Sequence, residues 1–255
     1  MRIVTLIENT AIREDLREEH GLSLYIESMG HRILFDAGQS GAFADNADLL
    51  GVALDKVDCA VLSHGHYDHG GGLAVFLERN VNAPVFLNRH AFEPHYNRAG
   101  KDIGLDPDLE NLGRLRYVDD GFQIGSGITL HNHLPLTYPL ETYGLTMGQG
   151  VTEDFRHEQY LLVEENGRKI CISGCSHRGV LNIMEYFRPD IFIGGFHFKD
   201  LPTDSAALYK AAEKLASYGT RYYTGHCTGL AQSGVLKEVL GDRLALLSTG
   251  GSFEI

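Results

Sequence analysis

The stretch Ser63-His64-Gly65-His66-Tyr67-Asp68-His69-Gly70-Gly71-Gly72, "SHGHYDHGGG", sets three histidines and an aspartate within six positions. The run before it, "VDCAVLS" (57–63), is almost continuously apolar, so it reads as a buried strand that stops at His64. The run after it, "GGLAVFLERN", has helical apolar spacing. The motif therefore occupies a strand-to-helix junction, where α/β proteins carry their chemistry. Residues two apart on extended backbone point the same way, so His64 and His66 can share one ion. A turn over Tyr67–Gly70 can direct Asp68 and His69 to a second ion nearby. The three glycines are expected to let the backbone turn tightly and come close to the metals. Imidazoles and a carboxylate gathered this way are divalent-cation ligands.

Outward from this point, "RIVTLIE" (2–8), "LSLYIE" (22–27) and "RILFD" (32–36) read as successive strands. "DAGQS" then opens a helix with apolar positions at Phe43, Ala47 and Leu50. The segment 88–156 is different, with scattered Gly, Asn, His, Tyr and Pro and short strand candidates at "LRYVDD" and "GITLHNH". It reads as an insertion or lid region. Asn166-Gly167 joins two strand patterns as a hairpin. Helices over 179–187, 205–219 and 229–240 then alternate with the strands "DIFIGG" and "RYYTG", and "ALLST" and "SFEI" close the chain. No internal repeat is visible. The pattern predicts one domain over 1–255, with two sheets between outer helices.

Each later strand pattern ends near a histidine: "KICISG" leads to Cys175 and His177, "DIFIGG" to His197, and "RYYTG" to His226. His90, His95 and Arg98, in "NRHAFEPHYNRAG", are candidates for a substrate-pocket wall. Cys227 reads as packing. The chain has 255 residues, 43% of them apolar, and a formal net charge of −12. That charge argues against nucleic acid as a partner, since phosphate contacts need a basic face. No apolar run approaches the ~20 residues of a membrane span. The opening "MRIVTLIENTAIREDL" does not resemble a secretory signal. The four cysteines lack disulfide-framework spacing, so the expectation is a cytoplasmic protein with reduced thiols and no membrane partner.

"SHGHYDHGGG" resembles the His-x-His-x-Asp-His signature of the metallo-β-lactamase superfamily, and "ILFDAG" (33–38) resembles its first motif. The resemblance implies an α/β fold, the αββα four-layer sandwich. It also implies that Asp36 orients a ligand imidazole from behind the metal loop. "SGCSHRG" (173–179), "GGFHF" (194–198) and "TGHCTG" (224–229) are similar to a subgroup that contains an archaeal dihydropterin-type synthase and many bacterial hydrolases. The superfamily usually has a bridging aspartate where this chain has "GCSH", and its third-motif histidine has no clear counterpart; His131 and His133 are weak alternatives. The expected ligands are accordingly His64, His66 and His177 for the first ion, and Asp68, His69 and His226 for the second. Cys175 either bridges or packs, and His197 is a further ligand or pocket candidate. Zinc suits this donor set, with manganese or iron as alternatives.

These residues point to a dinuclear metal-dependent hydrolase in which metal-activated water attacks a small, anionic ester, a phosphate ester or phosphodiester before others. Asp68 would both ligate and accept a proton. A pterin-phosphate transferase is the alternative that the subgroup resemblance implies. A non-enzymatic ligand-sensing domain is a third reading, weakened by the intact ligand set.

Overall fold

A computed structural model describes residues 1–255. Strands β1 (Arg2–Ile7), β2 (Ser23–Ser28), β3 (His31–Phe35), β4 (Cys59–Val61), β5 (Val85–Leu87) and β6 (Leu115–Tyr117) enter one sheet. Strands β7 (Phe122–Gly125), β8 (Ile128–His131), β9 (Tyr160–Glu165), β10 (Arg168–Ile172), β11 (Ile191–Ile193), β12 (Arg221–Thr224) and β13 (Leu244–Leu246) build the other. The last strand, β14 (Ser252–Glu254), returns to pair with β1. The first sheet runs β14-β1-β2-β3-β4-β5-β6, and the second β13-β12-β11-β10-β9-β8-β7.

The two sheets share one pairing scheme, which no sequence repeat announces. From β14 to β3 the neighbours are antiparallel and from β3 to β6 parallel. From β7 to β10 they are antiparallel, and from β10 to β13 parallel. The hairpin at Asn166-Gly167 forms as its dipeptide requires, with both residues at positive φ (53° and 72°).

The core divides into three layers, because the strands bury both faces. Ile3, Ile33 and Val61 meet Ile172, Ile193 and Val163 between the sheets. Helices α1 (Ala42–Leu50) and α3 (Leu73–Arg79) cover the outer face of the first sheet, with Phe43, Ala47, Phe76 and Leu77 against Leu34 and Val85. Helices α4 (Val180–Phe187), α5 (Ala206–Ala216) and α6 (Leu230–Leu240) cover the second, through Ile183, Leu215 and Leu236 on Phe192 and Tyr222. The order helix, sheet, sheet, helix is the expected four-layer sandwich. The short helix α2 (Tyr67–Gly70) lies inside the histidine motif itself.

Segment 88–156 is not wholly an insertion. It supplies β6 to one sheet and β7 and β8 to the other, and Val118, Ile128 and Leu130 enter the central core. β6 and β8 fall on the strand candidates "LRYVDD" and "GITLHNH", and only β7, four residues in polar sequence, lies outside them. No helix is long and apolar enough to cross a membrane.

Candidate metal centre

The site is assembled at the carboxyl ends of parallel strands. Asp36 follows β3, His64 follows β4, Cys175 and His177 follow β10, His197 follows β11 and His226 follows β12. Four residues there, Asp36, Ser176, His197 and His226, hold positive φ (59°, 57°, 55° and 45°) without being glycine. Backbone strain of that kind persists where the surroundings enforce it, commonly at functional sites. The glycines after the motif act differently from expectation. Gly71 and Gly72 have ordinary helical backbone near α2 (φ −61° and −79°). A Cβ would fall 2.5 Å from Gln39 O at Gly71 and 2.1 Å from Ala37 O at Gly72. They let the motif approach the 37–40 loop, not the metals.

Hydrogen bonds behind the site fix which nitrogen of each ring is free. Asp36, almost fully buried, accepts from Ser63 N (2.7 Å), Ser63 Oγ (2.7 Å) and His69 Nδ1 (2.6 Å). Ser63 Oγ, having donated to Asp36, accepts from His64 Nδ1 at 2.8 Å. Asn9 Oδ1 accepts from His226 Nδ1 (2.9 Å), and the Glu8 carboxylate accepts from His226 N. His64 and His226 therefore each carry their proton on Nδ1 and present a bare Nε2 to the centre, while Asp36 holds a proton on His69 Nδ1 and leaves its Nε2 to ligate once a cation displaces the proton there.

The free nitrogens converge. Donor atoms of His64, His66 and His177 all lie within 4.8 Å of one another, as do those of His64, His69 and Cys175. His69 Nε2 is 3.2 Å from both His226 Nε2 and Cys175 Sγ. Asp68 Oδ2 lies 3.4 Å from His226 Nε2 and 3.3 Å from His20 Nε2. The Nε2 atoms of His64 and His66 and both nitrogens of His177 are buried with no hydrogen-bond partner. Buried polar atoms are ordinarily paired. The facing Nε2 atoms of His69 and His226, 3.2 Å apart, need a proton or a metal cation between them. A divalent metal satisfies both conditions, so the donors fit the group.

Protonation supports this. Burial holds His64 and His177 well below the ordinary histidine range, and takes His66 down to about 3 and His226 and His197 to about 4. These rings are neutral at pH 7, as ligands must be. His69 is the exception: burial works against its charge, but Asp36 and then Asp68 carry it up to about 9. Burial opposes the charge of Asp68, but a hydrogen bond from His20 and the positive field of His69 outweigh it and hold the carboxyl well below its usual range. The Cys175 thiol is pushed well up, chiefly by burial.

The sequence did not single out His157. It precedes β9 in "FRHEQY", and its nitrogen lies within 4.8 Å of those of His66 and His95. Its Nδ1 accepts from Gly65 N at 2.8 Å, so its proton sits on Nε2, which lies 3.8 Å from Glu153 Oε1. His177 carries no such bond. His177 is thus equipped as a ligand, and His157 as a support of the metal loop. Glu158 holds His177 in place, accepting from His177 N (2.7 Å), Arg178 N (3.0 Å) and Tyr160 Oη (2.6 Å).

Outside the donors, a cavity of about 560 Å³ opens to solvent, with His66, Asp68, His177 and His226 on its floor. Arg98 is on its wall as expected, with Lys199, Asn97 and Tyr143, which the sequence reading missed. His197 lines it too, its ring 4.4 Å from that of His177. His90 and His95 do not line it, which corrects their assignment. His90 pairs locally with Glu93 at 2.8 Å. His95 is fully buried behind His66, donates from Nδ1 to Glu153 at 2.6 Å and stacks on His157. His131 lies against Phe187, and the backbone of His133 is tied to Asp120.

Comparison with known proteins agrees with this architecture. The family model described as the metallo-beta-lactamase superfamily matches residues 16–152. An uncharacterized protein of Methanocaldococcus jannaschii is 30% identical, with 89% of this chain and 90% of that protein covered. The same organism's 7,8-dihydropterin-6-methyl-4-(beta-D-ribofuranosyl)-aminobenzene-5'-phosphate synthase is 28% identical over 98% of this chain and 95% of its own length. Among solved structures, Tm1679, described as a metal-dependent hydrolase of the beta-lactamase superfamily, superposes with a TM-score of 0.86 at 28% identity, covering 100% of this chain and 99% of that one. Zinc-bound PqqB from Methylobacterium extorquens shares the fold alone, with a TM-score of 0.60 at 12% identity over the full length of both chains.

Proposed function

The chain belongs to the metallo-β-lactamase superfamily, and on that premise we propose that it is a metal-dependent hydrolase working with two divalent ions. His64, His66 and His177 hold the first, and Asp68, His69 and His226 the second. The observation that carries this reading is the set of Nε2 lone pairs turned inward by Asp36, Ser63 and Asn9, with two of them 3.2 Å apart. Zinc fits nitrogen-rich donors best. Bound there, such ions lower the pKa of water toward ~7 and polarise an acyl or phosphoryl oxygen.

The chain's own residues supply the rest. Asp68, which a hydrogen bond from His20 keeps ionised, stands on the cavity floor and accepts the proton that the attacking water gives up. Its neighbour His20 takes a hydrogen bond from Asn9 Nδ2 on Nδ1 (3.4 Å), so its Nε2–H donates to Asp68. On the cavity wall Arg98 and Lys199 outnumber Asp200, in a chain of net charge −12. That favours an anionic small-molecule substrate, a phosphate ester or phosphodiester first. Four unpaired thiols fit a reducing, cytoplasmic setting.

The alternative is a pterin-phosphate transferase, in which an aromatic carbon displaces pyrophosphate from a pterin pyrophosphate ester, favoured by the nearly full-length similarity to the archaeal synthase. One experiment separates the two. Metal-loaded protein is incubated with phosphomonoesters, phosphodiesters, lactones, and a pterin pyrophosphate ester together with an aromatic amine as carbon nucleophile, and products are read by mass spectrometry. Water-derived oxygen in the product supports hydrolysis. A carbon–carbon adduct with loss of pyrophosphate supports transfer, and no turnover by a fully loaded protein would sink both.

A further inference from the structure

Cys227 is left unused by the reading above, and its surroundings differ from those of a packing residue. Cys59 and Cys171 lie within strands β4 and β10, whereas Cys175 and Cys227 sit past the ends of β10 and β12 and line the cavity. The sulfurs of Cys175 and Cys227 and a nitrogen of His226 all lie within 4.8 Å of one another. Cys175 Sγ is 3.2 Å from His69 Nε2. A Cβ on Gly195 would come within 2.2 Å of Cys227 Sγ, so the chain leaves that glycine bare where the thiol needs room. Cys175, Cys227 and His226 thus form one close donor set, and His69 Nε2 adjoins it at 3.2 Å from both Cys175 Sγ and His226 Nε2.

We propose that Cys175 and Cys227 are both sulfur donors to the second ion, giving that position a mixed sulfur–nitrogen set selective for a thiophilic divalent cation. The inference rests on the two-ion reading and names donors that reading leaves open. His69 and His226 supply the nitrogens, and Asp68 becomes an exchangeable oxygen donor on the cavity side. Zinc tolerates such a fifth ligand. Thiolate donors shift preference away from magnesium, calcium and manganese and toward zinc, cadmium and cobalt. Each sulfur–metal bond forms as a thiol gives its proton to solvent, so binding releases two protons from the cysteines. The first ion, held by imidazoles alone, keeps the wider choice. The two positions therefore differ in softness.

Cobalt(II) is titrated into reduced, chelator-stripped protein, and sulfur-to-cobalt charge-transfer absorption in the near ultraviolet is followed. The wild type should develop the band with the second equivalent. Cys175→Ser and Cys227→Ser should each retain roughly half of it, and the double variant none, since intensity follows the number of thiolates bound. In parallel, zinc should protect both cysteines of the wild type from a small alkylating agent, with sites read by mass spectrometry. That measurement needs no variant to fold. Two bound ions with no charge-transfer band would overturn the inference and leave the two-ion reading standing. So would a band unchanged in Cys227→Ser, or protection of Cys175 alone, because Cys227 would then only donate its S–H to Cys175 O (3.5 Å). Absence of a second ion would remove both.

Discussion

Asp36→Asn tests the hydrogen-bond logic of the centre without disturbing its shape. The position is almost fully buried and has φ 59°, a backbone conformation that asparagine accepts as readily as aspartate. Asp36 only accepts, from Ser63 N, Ser63 Oγ and His69 Nδ1 at 2.6–2.7 Å. In the variant one oxygen still accepts from Ser63 N, but the amide nitrogen now donates toward Ser63 Oγ and His69 Nδ1. His69 must then put its proton on Nε2, where the second ion needs a lone pair. Ser63 Oγ loses its acceptor, and its fixed orientation toward His64 Nδ1 goes with it. Removing a partner that orients a ligand imidazole typically weakens metal affinity ~10–100-fold, or about 1.4–2.7 kcal/mol. The loss should fall mainly on the second ion, since His69 is contacted directly and His64 only through Ser63. Competition against a chromophoric chelator reads the two affinities. The melting temperature of the metal-free variant reports separately on folding. Wild-type affinity for both ions in a folded Asp36→Asn protein would refute the tautomer argument. Asp36→Ala should be worse on both counts, because each buried donor left unpaired costs about 1–3 kcal/mol.

Protein purified without chelator should carry about two equivalents of transition metal per chain, since six donors exceed one tetrahedral ion; elemental analysis giving one after zinc reconstitution would contradict this. His177→Ala should lose the first ion, whereas His157→Gln and His133→Ala should keep both; the reverse pattern would return the third ligand to His157. Metal-free protein should be most stable near neutrality. His66, His226 and His197, held at about 3 to 4 by burial, take up protons only when unfolded as pH falls below ~6.5, so their stabilisation is lost toward pH 4. His69, raised to about 9, acts oppositely, contributing below ~6.5 and losing its contribution as pH rises through 9. Chelated melts from pH 4 to 10 should therefore fall on both sides, more steeply in acid, and a flat profile would count against the buried neutral imidazoles. Arg98→Ala and Lys199→Ala should raise KM for a phosphate ester severalfold with little change in kcat; an equal effect on a neutral lactone would argue against charge recognition.

Much of this protein was legible as sequence because its signals are local. Strand and helix periods along 2–63 and 157–255 describe nearly every element there, since each strand buries β-branched residues and each outer helix an apolar stripe. "SHGHYDHGGG" states its own chemistry, because four candidate ligands within six residues cannot lie far apart in any fold. Residues distant in the chain were harder. The short strands β6, β7 and β8 are set in polar sequence, and only pairing with neighbours revealed them as parts of both sheets. His95 sits among candidate pocket residues in the chain yet packs behind the centre. Lys199 and Tyr143 reach the cavity from loops outside the quoted motifs, and Cys227, although inside "TGHCTG", carries no sequence signal that its thiol turns toward the cavity. The choice between His177 and His157 shows the division most clearly. Both are buried histidines beside one hairpin, and the sequence holds nothing to rank them. A backbone N–H of Gly65, brought near by folding, occupies one nitrogen of His157 and leaves His177 free. Residue type and spacing determined that candidate metal ligands gather at one place. Which lone pairs face it depends on hydrogen bonds between segments far apart in the chain, and those exist only in the folded protein.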